Sequence, residues 1–142
     1  MAASSDLYPV KRAVHGAIRA SHPIASGATV YQGSYVGLNS STARALQAGD
    51  QFLGIATARF VQGDGDTAVE CETNVQIKAA VTGASGAGDV GKLVYASDDQ
   101  TLTLTSTSNS LVGVIIEHVS GTTCWVKLLD AAELKAMSEP SA

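Results

Sequence analysis

Three histidines, two cysteines and thirteen acidic residues are the groups that could carry chemistry in this chain. Their spacing decides whether they do. His15 and His22 lie in a segment without a firm periodic pattern. Glu117 and His118 are adjacent, so in a strand their side chains project to opposite faces. No HExxH and no CxxC occurs, and those are the spacings that bring two metal ligands together. Cys71 and Cys124 sit in apolar or alternating stretches, where a buried free thiol is the common outcome. Asp64 and Asp66 lie in Gln62-Gly63-Asp64-Gly65-Asp66, and no glutamate closes an EF-hand loop after them, so a turn with Asx hydrogen bonds is expected. The run from Gly83 to Lys92 has the glycine density of a phosphate loop. Lys92 is followed by Leu93 and Val94 instead of Ser or Thr, and by a strand pattern instead of a helix, so the helix N-terminus such a loop needs is missing. A long β-loop is expected over Thr82–Val90. Serines are abundant, but no GxSxG is present. Glu70 and Glu72 share a parity with Lys78, which a solvated strand face explains. The residues therefore assemble no catalytic set, no metal site and no cofactor site, and a non-enzymatic protein is expected.

The elements that would position any site follow from periodicity. The 142 residues suit one domain. Hydrophobic residues make up 45% but charged residues only 15%, with 14 glycines. Typical charged content is about 25%, so this composition favours short strands and Gly-rich turns over solvated helices. Residues 1–28 read as an N-terminal arm, 29–130 as a β domain, and 131–142 as a short helix and tail. Within the arm, Ala13–Ala20 suits either an extended chain or two turns of helix between Pro9 and Pro23. Strand signals begin at Thr29-Val30-Tyr31 and Tyr35-Val36-Gly37. Ser40 or Ser41 is placed to cap a short helix over Thr42–Leu46. Phe52–Phe60 reads as a strand in which Gly54 marks a bulge or a close backbone approach. Val69, Cys71, Thr73, Val75 and Ile77 then alternate with Glu70, Glu72, Asn74, Gln76 and Lys78, the pattern of a strand with one wet face. Leu93–Tyr95, Thr101–Thr105, Leu111–Val119 and Thr123–Leu129 complete the strands, with Val114, Ile116 and Val119 nearly keeping one parity. Asp130 is the expected N-cap of a helix reaching Met137. The fold class is mainly β: a small β-barrel or β-sandwich with an extended N-terminal arm and a short C-terminal helix. A faint internal echo pairs Ala25–Gly27, Val30-Tyr31 and Leu53–Ala56 with Ala84–Gly86, Val94-Tyr95 and Val112–Ile115. Duplication of a β unit and chance in a Gly-rich chain both account for it.

Charge and segments restrict the partners. The formal charge is −4, which argues against nucleic acid, since phosphate contact wants a basic surface. Lys11, Arg12 and Arg19 form a local basic cluster, either a solvated arm or a docking contact. No apolar stretch approaches membrane length, and Met1–Val10 holds no signal-peptide core, so a soluble protein made in a reducing cytoplasm is expected.

Gly88-Asp89, Leu93-Val94-Tyr95, Leu111-Val112-Gly113-Val114 and Trp125-Val126-Lys127-Leu128 carry a family likeness, echoed earlier by Ala48-Gly49-Asp50 and Phe52-Leu53-Gly54-Ile55-Ala56. Over about Ile24 to Leu129 the chain resembles the small capsid decoration, or cement, proteins of tailed bacteriophages. The resemblance implies a β-rich protein on the outer surface of the virion. There it would bind the major capsid protein, bridge its subunits and stabilise the expanded head. It also implies a homo-oligomer, typically a trimer, with no cofactor, no membrane and no direct nucleic-acid contact. Met1–Pro23 then stands as an N-terminal extension. The contact residues expected are Tyr8, Val10, Lys11, Arg12 and Arg19 in the arm, with Phe60 and Trp125 as aromatic anchors. Phe60 also suits plain core packing, and the parity of Trp125, opposite to Val126, admits either face. Removing residues 1–23 is expected to weaken shell binding and spare the fold. The alternative is a virion-displayed carbohydrate-binding or host-attachment module, which needs an exposed aromatic platform, and aromatic content is only 5%.

Overall fold

The structure is a computed structural model that describes residues 2–12 and 16–138. The strands are β1 (Val10–Arg12), β2 (Ile18–Pro23), β3 (Thr29–Val30), β4 (Tyr35–Asn39), β5 (Thr42–Ala45), β6 (Gln51–Ala56) and β7 (Phe60–Val61). They continue with β8 (Ala68–Thr73), β9 (Gln76–Thr82), β10 (Leu93–Ala96), β11 (Leu102–Thr103), β12 (Ser110–Ser120) and β13 (Thr123–Leu128). One helix, α1 (Ala131–Ser138), follows. Asp130 caps it through a reciprocal pair: Glu133 N–H donates to Asp130 Oδ1 at 2.8 Å, and Asp130 N–H to Glu133 Oε1 at 3.1 Å. The fold is mainly β, and its centre is a small closed barrel.

The barrel lies in the second half of the chain. Its ring runs β9-β11-β10-β12-β13 and returns to β9. Every contact in the ring is antiparallel except β9 with β11. Val75, Ile77, Val94, Val112, Ile115, Cys124, Val126 and Leu128 are all buried and share one apolar cluster. The first half forms a second sheet in the order β5-β4-β6-β8-β2. This is the order β11-β10-β12-β13-β9 with each strand replaced by its counterpart. Its end strands meet at a single parallel bridge between Ile24 and Ala43, where Ala25 N–H donates to Ala43 O at 2.8 Å. The first unit is thus the same ring, barely closed, around its own cluster of Ile24, Val30, Val36, Ala43, Ala56, Val69 and Cys71.

Local detail repeats with the topology. Gly33 N–H donates to Ala56 O and Ala56 N–H to Ser34 O; Gly91 N–H donates to Ile115 O and Ile115 N–H to Lys92 O. Gly33 and Gly91 both have positive φ, +77° and +91°. Val36 faces Gly54 and Val94 faces Gly113, and in each pair the register slips by one residue next to the glycine. Leu53 and Val112 are the extra, bulged residues. Ala20 faces Cys71 and Ala79 faces Cys124. With these as guides, Ile18–Ala28 aligns without a gap on Ile77–Ala87, identical at Ile18/Ile77, Ala20/Ala79 and the two Ala-Ser-Gly-Ala runs. The faint echo in the sequence is a duplication. Its equivalences need one correction: Leu93-Val94 matches Tyr35-Val36, and Val30-Tyr31 precedes that strand.

Other expectations change for physical reasons. Strands begin at Val10, well before Thr29, and the described part of Ala13–Ala20 is extended from Ile18 onward; Ala13, Val14 and His15 lie outside the described residues. Thr42–Leu46 is no helix. Ser40 takes φ +60°, which lets a tight turn pair Asn39 with Thr42 and sends β5 back along β4. The strand expected over Phe52–Phe60 ends at Ala56, and β7 resumes at Phe60. The alternating run from Val69 to Lys78 is two strands in two sheets. Asn74 breaks it at φ +60°, and its amide donates to Gly16 O at 2.9 Å. Periodicity cannot see this break, because each strand goes on burying alternate residues after it. Glu72, assigned to a wet face, is only 7% exposed. In β12 the barrel interior takes Val112 and Ile115, while Ile116 and Val119 are exposed. The bulge at Val112 shifts parity before Ile116, and further register slips against β13, between Ile115 and Glu117 and between His118 and Ser120, precede Val119. Only Leu102–Thr103 of the run Thr101–Thr105 forms a strand.

The two bulge glycines sit where no side chain fits. A Cβ at Gly113 would lie 2.5 Å from Lys127 O and 2.7 Å from Val126 Cγ1; at Gly54, with φ +141°, it would lie 2.8 Å from both Cys71 Cβ and Glu72 O. Gly113→Ala and Gly54→Ala are each expected to cost about 1–3 kcal/mol or more. Gly63→Ala, where a Cβ meets nothing within 4 Å, is the near-neutral control. Urea denaturation of the three variants checks this.

Candidate interaction surface

Residues 2–12 and 16–23 lie along both units and are bonded to each. Ala3 N–H donates to the buried Asp99 carboxylate at 2.7 Å, reaching the β10–β11 turn of the second unit. Asp6 then grips the first unit. Its Oδ1 accepts Gln32 N–H and Arg59 Nε–H, and its Oδ2 accepts Arg59 Nη2–H, each at 3.1 Å. Leu7 N–H donates to Gln32 O at 2.7 Å, so close to Gly33 that a Cβ there would meet Leu7 O at 2.3 Å. Next β1 adds to β9 in the second unit. Finally β2 adds to β8 in the first. The segment crosses from one unit to the other at each step.

The basic residues singled out by sequence are ion-paired within the chain on this path. Lys11 Nζ lies 3.3 Å from Glu72 Oε1, and Arg19 Nε 3.1 Å from Glu72 Oε2. Two cations flanking one buried carboxylate explain how Glu72 tolerates burial. Arg12 Nη2 meets Glu117 at 2.6 Å, and its guanidinium carbon sits 3.9 Å from the centre of the Trp125 ring. That stack covers one face of the indole. Tyr8 and Val10 are exposed, at 76% and 53%. Phe60, half-buried in β7, packs against the core of the first unit. The structure therefore brings Arg12 and Trp125 together, gathers Lys11 and Arg19 on Glu72, and leaves Phe60 apart from both groups.

The remaining candidate groups are held by structural partners or by burial. Asp89 closes the glycine-rich loop: its Oδ2 accepts the Ser85 and Gly86 N–H groups at 2.7 and 3.2 Å, and its Oδ1 pairs with Lys92 at 2.7 Å. The Lys92 ammonium and these N–H donors hold its pKa down at about 2. Burial pushes the Cys71 thiol up to about 12 and raises Cys124 as well. Burial lowers the pKa of His22. His118 Nε2 lies 2.9 Å from Gly121 O within the β12–β13 hairpin. Among the described residues no three His, Cys, Asp or Glu side chains cluster as a metal site, and no helix is long and apolar enough to cross a membrane.

Sequence reading missed one surface. Val90, Leu93 and Ile116 are exposed at 49%, 36% and 37%, beside the half-buried Leu111 and Val114. They line the outside of the barrel along β10 and β12. Their apolar character is visible in sequence, but their outward direction depends on the bulge at Val112.

No protein-family model matches the chain, and no curated protein is significantly similar to it.

Asp89 also sets a pH dependence. Its pKa is depressed below the ordinary 3.8, so the stability it contributes is full above that value and is lost as pH falls toward about 2. Asp6, depressed by Arg59, acts in the same direction. Asp99 opposes them, because burial raises its pKa. Asp89→Asn is expected to melt lower than the parent at pH 7, with the difference shrinking between pH 4 and 2. Thermal melts across that range check it.

Proposed function

We propose that this chain is a structural component of a tailed-phage virion that binds the outer surface of the capsid. In this reading it bridges major capsid subunits as a homo-oligomer and stabilises the expanded head. The observation that carries the reading is the likeness to decoration proteins in Leu93–Tyr95, Leu111–Val114 and Trp125–Leu128. These three segments belong to β10, β12 and β13, neighbouring strands of one barrel wall; of the other segments of the likeness, Gly88-Asp89 and Ala48-Gly49-Asp50 lie in turns. A bridge under tension also needs its two units held together, and residues 3–12 and 18–23 bond to both.

The sugar-binding alternative is less well supported. It needs a platform of open aromatic rings, and Arg12 covers one face of Trp125, which leaves Tyr8 as the strongly exposed ring among the described residues. The earlier expectation for the arm also needs revision. Removing residues 1–23 would strip β2 from the first unit and β1 from the second, so both shell binding and the fold should suffer. Point changes in the exposed arm residues test the arm without this penalty.

The test is cosedimentation of the full chain with expanded and unexpanded heads of the phage that encodes it. Saturable binding to expanded heads, at a fixed ratio to capsid subunits, is the expected result. Tyr8→Ser with Val10→Ser should weaken it several-fold while leaving the melting temperature within a few degrees. A folded protein that binds neither head form would overturn the proposal.

A further inference from the structure

The duplication allows each surface of one unit to be compared with its counterpart on the other. In the first unit, Tyr35 pairs with Ile55 across β4 and β6. Both side chains point away from that unit's own core, opposite to Val36 and Ala56. Neither is exposed, at 5% and 0%. With Phe52 and Leu46 they join the apolar cluster of the second barrel. Tyr35 and Phe52 meet edge to face at 6.3 Å. Across the same junction, Tyr35 N–H donates to Asp99 O at 2.8 Å, and Gly49 N–H to Ser110 Oγ at 3.0 Å. The outer face of β4 and β6 is therefore the surface on which one β unit receives another.

The second unit has the same face. Leu93 pairs with Val114 as Tyr35 pairs with Ile55, and Leu111 takes the place of Phe52. Val90 and Ile116 extend it, where the first unit has the polar Gln32 and Thr57. This face is apolar; Leu111 and Val114 are half-buried against the apolar cluster of the barrel, and among the described residues Val90, Leu93 and Ile116 stay exposed. The lysines nearest to it are already paired, Lys92 with Asp89 at 2.7 Å and Lys127 with Glu133 at 2.9 Å. It offers no unpaired positive charge from them to recruit an anionic partner.

We infer that the outer face of β10 and β12, centred on Leu93, Val114 and Ile116, is the self-association surface of this protein. Its occupant is a second copy of the chain. The packing of unit on unit within one chain is already a head-to-tail contact, since the face of the first unit meets a different surface of the second. Repeating that relation between chains leaves one free face and one free receiving end on each copy until a ring closes. The inference supplies the surface for the homo-oligomer proposed above, but it does not depend on shell binding.

The experiment measures the mass of the full chain by light scattering over a hundredfold range of concentration, without phage heads. The parent should be a discrete oligomer. Leu93→Lys with Ile116→Lys should be a monomer with the same circular dichroism, while Tyr8→Ser, away from this face, stays oligomeric. If the double variant does not fold, Val90→Lys, outside the strands, should raise the dissociation constant at least tenfold. A parent that is monomeric throughout, or a folded double variant with the parent's mass, overturns the inference. A monomeric parent whose head binding is lost in the double variant would assign the face to the shell and overturn self-association while sparing the capsid reading.

Discussion

Both units depend on one backbone device: a strand that carries an extra residue and then a glycine. At Leu53-Gly54 and Val112-Gly113 the extra residue bends the strand, and the glycine lets the next strand approach closer than any Cβ permits. Bulges increase local twist and coiling, which is how a short sheet turns enough to meet itself. Five strands enclose little volume, so the interior must be filled by small and medium side chains. Val94, Val112, Ile115, Cys124 and Val126 fit that need in the second unit; Val36, Ala43, Ala56, Val69 and Cys71 fit it in the first. Alanine at Ala43 and Ala56 where the second unit has larger residues goes with a smaller core and with closure through a single bridge.

The less complete first unit is compensated from outside. Its outer face is buried against the second barrel through Tyr35, Phe52 and Ile55, and its edges are bound by the N-terminal segment. The clamp works by alternation. Asp99 holds Ala3, Asp6 holds Gln32 and Arg59, β9 takes β1, and β8 takes β2. Exposed ion pairs such as Asp6 with Arg59 contribute little individually. Their value here is positional, since each fixes a strand addition that satisfies backbone groups along an otherwise open edge. The basic residues of the segment serve the same end. Lys11 and Arg19 neutralise Glu72, which sits outward from the first unit's core at the junction with β1.

The mainly β class, the C-terminal helix with its Asp130 cap and the loop character of the glycine-rich run were legible in sequence, because each rests on local pattern. The errors share a cause. Alternation from Val69 to Lys78 records burial on every second residue, but two different sheets impose it, and only the φ of Asn74 separates them. The helix expected at Thr42–Leu46 rested on serines as caps; the same serines suit a tight turn when β4 offers a partner for the returning strand. Bulges at Leu53 and Val112 are invisible to a parity count and reverse the direction of the residues that follow, until the next register slip. That is why the near-parity of Val114, Ile116 and Val119 does not tell which of them face the interior.

Duplication also changes how the surface residues are weighed. An isolated exposed leucine needs no explanation, since folded proteins expose much apolar area. Leu93 is different because its counterpart, Tyr35, is buried by a unit of the same fold. The same face, on the same scaffold, is buried in the first unit and only partly covered in the second, where Val90, Leu93 and Ile116 stay exposed. Had duplication merely left a worn copy, the open face would be expected to drift toward polar residues. Instead Val90 and Ile116 are more apolar than Gln32 and Thr57, the residues at the matching positions of the covered unit. At these two positions the exposed copy is the more apolar, which is the asymmetry a surface awaiting a partner should have and a solvent-facing one should not.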